Sequence, residues 1–194
     1  MPLPTTKRKD AKIKMVYIFL AEGFEEIEAL TQVDYLRRAG VELKTVGVTG
    51  KTVMGAHGIG VCCDITQKDV VLDDSLEMII LPGGIPGVPN LGKSEVVIDA
   101  LEYAYKNDKF IAAICAAPTL VAKYGYLEGK NAVCYPSMEN ELFGAKCINS
   151  AVVRDGKIIT ARAAGASEEF ALELIRALVS KEAAEKVRCA ICAR

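Results

Sequence analysis

The chain has 194 residues, 51% of them hydrophobic, and a formal net charge of −1 at neutral pH. That length and apolar content fit one sizeable domain with a two- or three-layer core. Basic residues are spread among acidic ones, so no stripe exists to neutralise phosphates, which argues against a nucleic-acid partner. No apolar run approaches the roughly 20 residues of a membrane-crossing helix.

Residues 1–12, beginning Met1-Pro-Leu-Pro, are polar and basic and lack the apolar centre of a secretory signal. They are predicted to be a disordered tail ahead of a single domain over 13–194. Lys14-Met-Val-Tyr-Ile-Phe-Leu20 is a strand, and Ile27, Leu30, Val33 and Leu36 mark a helix ending at Gly40. Glu42 to Val48 reads as a second strand, and Thr52 to Met54 is expected to pair with Ile59 to Val61 in a hairpin. Met78 to Leu81 is a fully apolar strand running into Pro82-Gly83-Gly84, and Ser94 opens a helix reaching about Asn107. Phe110 to Ile114 meets Cys115, after which Pro118 fits a first helical turn and Gly125 ends that helix. Ala132 to Cys134 is a further strand. Ala151 to Arg154 and Ile158 to Thr160 flank the turn Asp155-Gly156, and helices are expected over 167–179 and 182–187. Apolar strands alternating with helices predict an α/β, doubly wound, mostly parallel sheet sandwiched between helices. Ligands bind such sheets at the carboxyl ends of the strands.

Seven cysteines, odd in number and irregularly spaced, argue against a disulfide framework and for a reducing, cytoplasmic setting. Cys189 and Cys192 have metal-ligand spacing, but a structural zinc needs four ligands and the chain has one histidine, so no metal is expected. Cys115 stands at the joint of a buried strand and a helix, flanked by small residues. A side chain on such a turn is presented above the sheet beside free helix amides, which favour a thiolate. The same residues also allow a buried, inert cysteine. Glu25, Glu26 and Glu28 cluster at a helix start, and periodicity does not tell which points inward. Gly83 and Gly84 either offer amides to an oxyanion or only make a turn. His57, the sole histidine, is expected to be structural or at an interface.

Four segments together carry a resemblance: Ala21-Glu-Gly-Phe-Glu-Glu-Ile-Glu28, Leu81-Pro-Gly-Gly84, Ile111-Ala-Ala-Ile-Cys-Ala-Ala-Pro118 and Glu169-Phe-Ala-Leu172. In order and spacing they resemble the ThiJ/PfpI superfamily, in the branch that holds its protein deglycases. The resemblance implies a flavodoxin-like fold, a homodimer and no cofactor. It also implies Cys115 as nucleophile and redox-sensitive thiol, Glu28 as the protonated carboxyl beside it, and the Gly84 and Ala116 amides as oxyanion donors. The implied chemistry is a cofactor-independent glyoxalase or deglycase acting on methylglyoxal or glycated amines, with a role in oxidative-stress protection. A redox sensor or chaperone is the alternative, and a cysteine peptidase a weaker one, because residue 116 is alanine where peptidase branches carry histidine. Tyr135 stands where many relatives place a histidine. It joins Gly83 and Arg162 as an expected substrate or supporting contact. The stretch from Thr160 to Ala166 lacks a proline typical of the branch, and Cys63 and His57 match a region bordering the dimer interface in relatives.

Overall fold

Strand β1 (Met15–Leu20) shows why the apolar runs carry no polar alternation. Val16, Ile18 and Leu20 face one core, while Tyr17 and Phe19 between them face a second, so both sides of the sheet are buried. The computed structural model describes residues 14–193; the predicted tail lies outside the described residues.

After β1 come α1 (Glu26–Arg38), β2 (Glu42–Gly47), β3 (Thr52–Met54), β4 (Gly60–Cys62), β5 (Ile65–Thr66) and β6 (Leu76–Leu81). Next are α2 (Gly87–Leu91), α3 (Glu95–Lys106), β7 (Phe110–Ile114), α4 (Ala117–Lys123), β8 (Asn131–Ala132) and β9 (Lys146–Cys147). The chain ends with β10 (Val152–Asp155), β11 (Ile158–Ala161), α5 (Ser167–Leu178) and α6 (Lys181–Ala190). The main sheet runs β10-β11-β7-β6-β1-β2-β5, parallel throughout except for β10. Five of these strands, β2-β1-β6-β7-β11, reproduce the flavodoxin-like order. β3 and β4 form the expected hairpin, with Thr52 opposite Cys62, one residue later than the sequence suggested.

One core joins Ile18, Ile80 and Ile114 to Phe170, Leu174 and Ile175 of α5. The other joins Phe19, Ile79 and Ala113 to Val97 and Leu101 of α3 and Leu120 of α4. Each fully buried side chain of this size contributes about 1.5–3 kcal/mol. Helix starts are fixed locally: Ser94 Oγ accepts from Val97 N at 3.3 Å, and Ser180 Oγ from Ala183 N at 3.1 Å. Because the helix after β1 covers one face and the helix after β6 the other, a crevice opens beyond Leu20, Leu81 and Ile114. The functional candidates lie there.

Candidate active site

Cys115 follows β7 directly and takes φ +65°, in the left-handed region that costs a non-glycine residue roughly 1–2 kcal/mol. The turn is held at both ends of the residue. Its N–H donates to Ala161 O at 2.9 Å on β11, and its C=O accepts from Tyr135 N at 2.8 Å. Ala116 and Ala117 add no bulk, and Thr119 Oγ1 closes the first turn of α4 by donating to Ala116 O at 2.8 Å. This strained joint presents a half-buried thiol toward the backbone amides of Ala116 and Gly84.

Glu28 comes from the first turns of α1 and is 1% exposed. Its Oε2 accepts from Gly83 N at 2.8 Å, Oε1 has no hydrogen-bond partner, and the carboxyl interacts with the Cys115 thiol. Gly83 is where the groups converge. A Cβ there would lie 2.5 Å from Glu28 Oε2 and 2.6 Å from Cys115 Cβ, so only glycine lets carboxyl and thiol meet. Gly84, at φ +96°, would drive a Cβ to 2.4 Å from Gly23 O, which fixes the loop after β6 against the loop before α1. Glu25 N donates to Gly83 O at 3.0 Å across the same seam.

Burial pushes the Glu28 carboxyl up to about 7, against the hydrogen bonds to Cys115 and Gly83. The Cys115 thiol is pushed up to about 12, first by burial and then by the charge and hydrogen bond of Glu28, while the Ala116 and Gly84 amides pull it down. Two negative charges oppose one another in this crevice, so once the first proton leaves near 7 the pair keeps the second and carries a single charge. With the proton on Glu28, the main opposition to the thiolate besides burial disappears, and two amides face the sulfur. Such a pair can add a nucleophile to a carbonyl, bind the resulting oxyanion and move a proton.

A model of the DJ-1/PfpI family matches residues 14–177. The chain belongs to the DJ-1/PfpI family. It is 37% identical over 177 residues to Protein dj-1beta of Drosophila melanogaster, covering 90% of this chain and 94% of the relative. The crystal structure of that Drosophila protein matches with a TM-score of 0.88 at 35% identity, over 93% of this chain and 98% of the other. The glutathione-independent glyoxalase DJR-1.2 of Caenorhabditis elegans is 30% identical over 173 residues, 88% of this chain and 91% of its own. Oxidized Toxoplasma gondii DJ-1 matches with a TM-score of 0.88 at 32% identity, over 93% and 98% of the two chains.

Within this DJ-1/PfpI member the expected site residues separate into two groups. Cys115, Glu28, Gly83, Gly84 and Ala116 converge as described. Tyr135 touches the elbow through its backbone amide, but its side chain is 46% exposed. Arg162 is also exposed, and its guanidinium is bonded by Asn149 Oδ1 at 2.6 Å rather than by the carboxyl or thiol. The stretch that lacks the proline still reaches the site, because the Ala164 amide interacts with Glu28.

Sequence reading left open which of Glu25, Glu26 and Glu28 points inward, and Glu26, on the same helix turn, is also buried, at 5% exposed. Its carboxylate accepts from His57 N at 2.8 Å and from Ile59 N at 3.4 Å, and meets the His57 ring at 2.9 Å. His57 therefore ties the β3–β4 hairpin to α1, a structural role. With Glu25 these two form the one metal-apt grouping among the described residues, although the Glu26 oxygens are already engaged by the hairpin. Cys63 is 2% exposed and belongs to the core, with its thiol pushed up to about 11 by burial. Cys189 and Cys192 are exposed free thiols, and Cys189 lies 3.4 Å from Glu185 Oε1. Among the described residues no helix is long and apolar enough to cross a membrane.

Proposed function

We propose that this protein is a cysteine-dependent, cofactor-independent glyoxalase or deglycase that acts on small dicarbonyls such as methylglyoxal or on early glycated amines. The observation that carries this reading is the Cys115–Glu28 pair: a strained thiol hydrogen-bonded to a buried carboxyl, with two backbone amides facing the sulfur. The thiolate adds to the aldehyde carbon, forming a C–S bond, and Glu28 gives its proton to the resulting oxyanion held near the Gly84 and Ala116 amides. The Glu28 carboxylate then takes the C1 proton and returns it at C2 while the C1 hydroxyl proton passes to the C2 oxygen, which converts the hemithioacetal into a lactoyl thioester. Water cleaves that thioester, releasing lactate and the thiol. The oxidation of C1 is balanced by the reduction of C2, so no external oxidant is needed.

The naming of one relative as a glutathione-independent glyoxalase supports the reading. Lactate formation from methylglyoxal without glutathione tests it: Cys115→Ala and Glu28→Gln should each abolish turnover while circular dichroism is unchanged. Full activity in either variant would overturn it.

A second reading, that Cys115 is a redox sensor or chaperone switch protecting against oxidative stress, is favoured by the two amides beside a half-buried sulfur, where a sulfinate would be held. Absent turnover together with selective oxygen addition at Cys115, seen by intact mass, would favour it. We place the protein in the cytoplasm, where its seven free cysteines persist. A homodimer is proposed as well. Ile27 on α1 and Met54 and Ile59 on the hairpin leave 56%, 42% and 54% of their area exposed, an apolar surface suited to a second copy.

A further inference from the structure

A cavity of about 490 Å³ opens between the loop after β6, helix α2, helix α4 and the loop after β8. Its volume falls in the range of small-molecule sites, roughly 300–1,000 Å³. Ile85, Val88, Ala116, Leu120, Met138 and Phe143 supply its apolar wall. None of these was singled out for this purpose by the proposed chemistry, yet two of them connect the cavity to it. Ala116 lines the cavity and also gives its amide to the Cys115 sulfur, and Ile85 lines it directly after Gly84, which supplies the other amide. An aldehyde whose oxygen lies on those two amides therefore has the cavity next to it across a single residue.

The chemistry of the wall selects the occupant. Ile85 and Phe143 are 63% and 64% exposed, large apolar side chains left in solvent at the mouth. The charged lining residues Lys93, Lys123 and Glu141 are exposed and of mixed sign, so the walls favour neither an anion nor a cation strongly. An uncharged apolar group buries against such a surface and gains the transfer free energy of its area.

We propose that this cavity is a substrate subsite that takes the aryl or branched alkyl substituent of a 2-oxoaldehyde whose aldehyde carbon is attacked by Cys115. The inference rests on the glyoxalase reading and narrows its substrate class from methylglyoxal toward bulkier, apolar 2-oxoaldehydes. The bond changes are those already given. With phenylglyoxal the C1 proton moves to C2, water cleaves the thioester, and mandelate is released in place of lactate.

The test compares kcat/KM for phenylglyoxal and methylglyoxal in the wild type, in the double variant Ile85→Ala/Phe143→Ala, and in Met138→Trp, which fills the cavity. The wild type should prefer phenylglyoxal by about tenfold or more, in line with what an apolar pocket discriminates. Both variants should lose at least about tenfold more on phenylglyoxal than on methylglyoxal, chiefly through KM. Equal kcat/KM for the two aldehydes, or a preference that survives both variants, would overturn the subsite and leave the glyoxalase reading standing. A binding measurement separates the opposite case: in Cys115→Ala, calorimetry should show mandelate binding about tenfold tighter than lactate, and the Ile85→Ala/Phe143→Ala changes should erase that difference. If neither aldehyde is turned over but this binding difference is present, the reaction assignment fails and the apolar subsite holds. If the two hydroxy acids bind alike, the subsite fails.

Discussion

Glu26 and Glu28 are two residues apart on the first turns of α1, both are at most 5% exposed, and their protons behave in opposite ways. Burial opposes the charge of Glu26, but the His57 ring and the His57 and Ile59 amides overcome it and hold the carboxyl below its ordinary value. Burial opposes the charge of Glu28 too, and there the Cys115 thiol and the Gly83 and Ala164 amides are not enough against burial and the Glu25 charge, so the carboxyl rises to about 7. The β3–β4 hairpin closes over one residue with saturated donors. The sheet end gives the other a thiol where the hairpin gives a basic ring. The difference teaches that a carboxyl in a buried helix start is structural or reactive according to whether the facing element brings a basic ring or a thiol.

Crowding the second environment gives the largest effect. Gly83→Ala places a methyl within 2.5 Å of Glu28 Oε2 and 2.6 Å of Cys115 Cβ, which separates the pair. Lactate formation should fall by about a hundredfold or more, since small misplacements of reacting groups carry penalties of that size. Steady-state kinetics on the folded variant checks this.

Stability against pH sharpens the contrast next. Glu28 has its value raised in the fold from 4.5 to about 7, so its contribution is fully present below the unfolded value and is lost as pH rises through about 7. Glu26, lowered in the fold, contributes above 4.5 and loses that contribution as pH falls. Relative to wild type, Glu28→Gln should therefore gain up to about 3 kcal/mol between about pH 5 and about pH 8, read from urea unfolding. Glu26→Ala should instead cost about 2 kcal/mol at neutral pH, because the His57 and Ile59 amides lose their acceptor. The smallest effect belongs to Tyr135→Phe. Its amide, not its exposed ring, reaches the elbow, so kcat/KM for methylglyoxal should change by less than about threefold.

Much of this was readable from the chain because apolar strands buried on both faces and the cap at Ser94 are local signals. Helix α2 was missed because Gly87-Val-Pro-Asn-Leu91 is a single turn with residues that usually break helices, held by its neighbours. The two-residue strands β5 and β9 carry no period to detect, and the strand expected over Ala132 to Cys134 is realised only as β8, which ends at Ala132. At the site, Cys115 was legible as a strand-to-helix joint. Selecting Glu28 from three adjacent acids needed resemblance, because the choice is made by Gly83, 55 residues away, and by a hairpin about 30 residues away. The exposure of Tyr135 and the Arg162–Asn149 bond are likewise tertiary facts.

The central claim is that Cys115 and Glu28 share one proton, and the pH dependence of Cys115 alkylation, followed at peptide resolution by mass spectrometry, tests it most directly. In the wild type the rate should show an inflection near 7, where the pair loses its first proton, and in Glu28→Gln that inflection should vanish, leaving one thiol titration below the wild-type value of about 12 because the charge and hydrogen bond that oppose the thiolate are gone. Identical profiles in the two proteins, both rising near the ordinary thiol value, would show that the carboxyl and the sulfur titrate independently and would contradict the account.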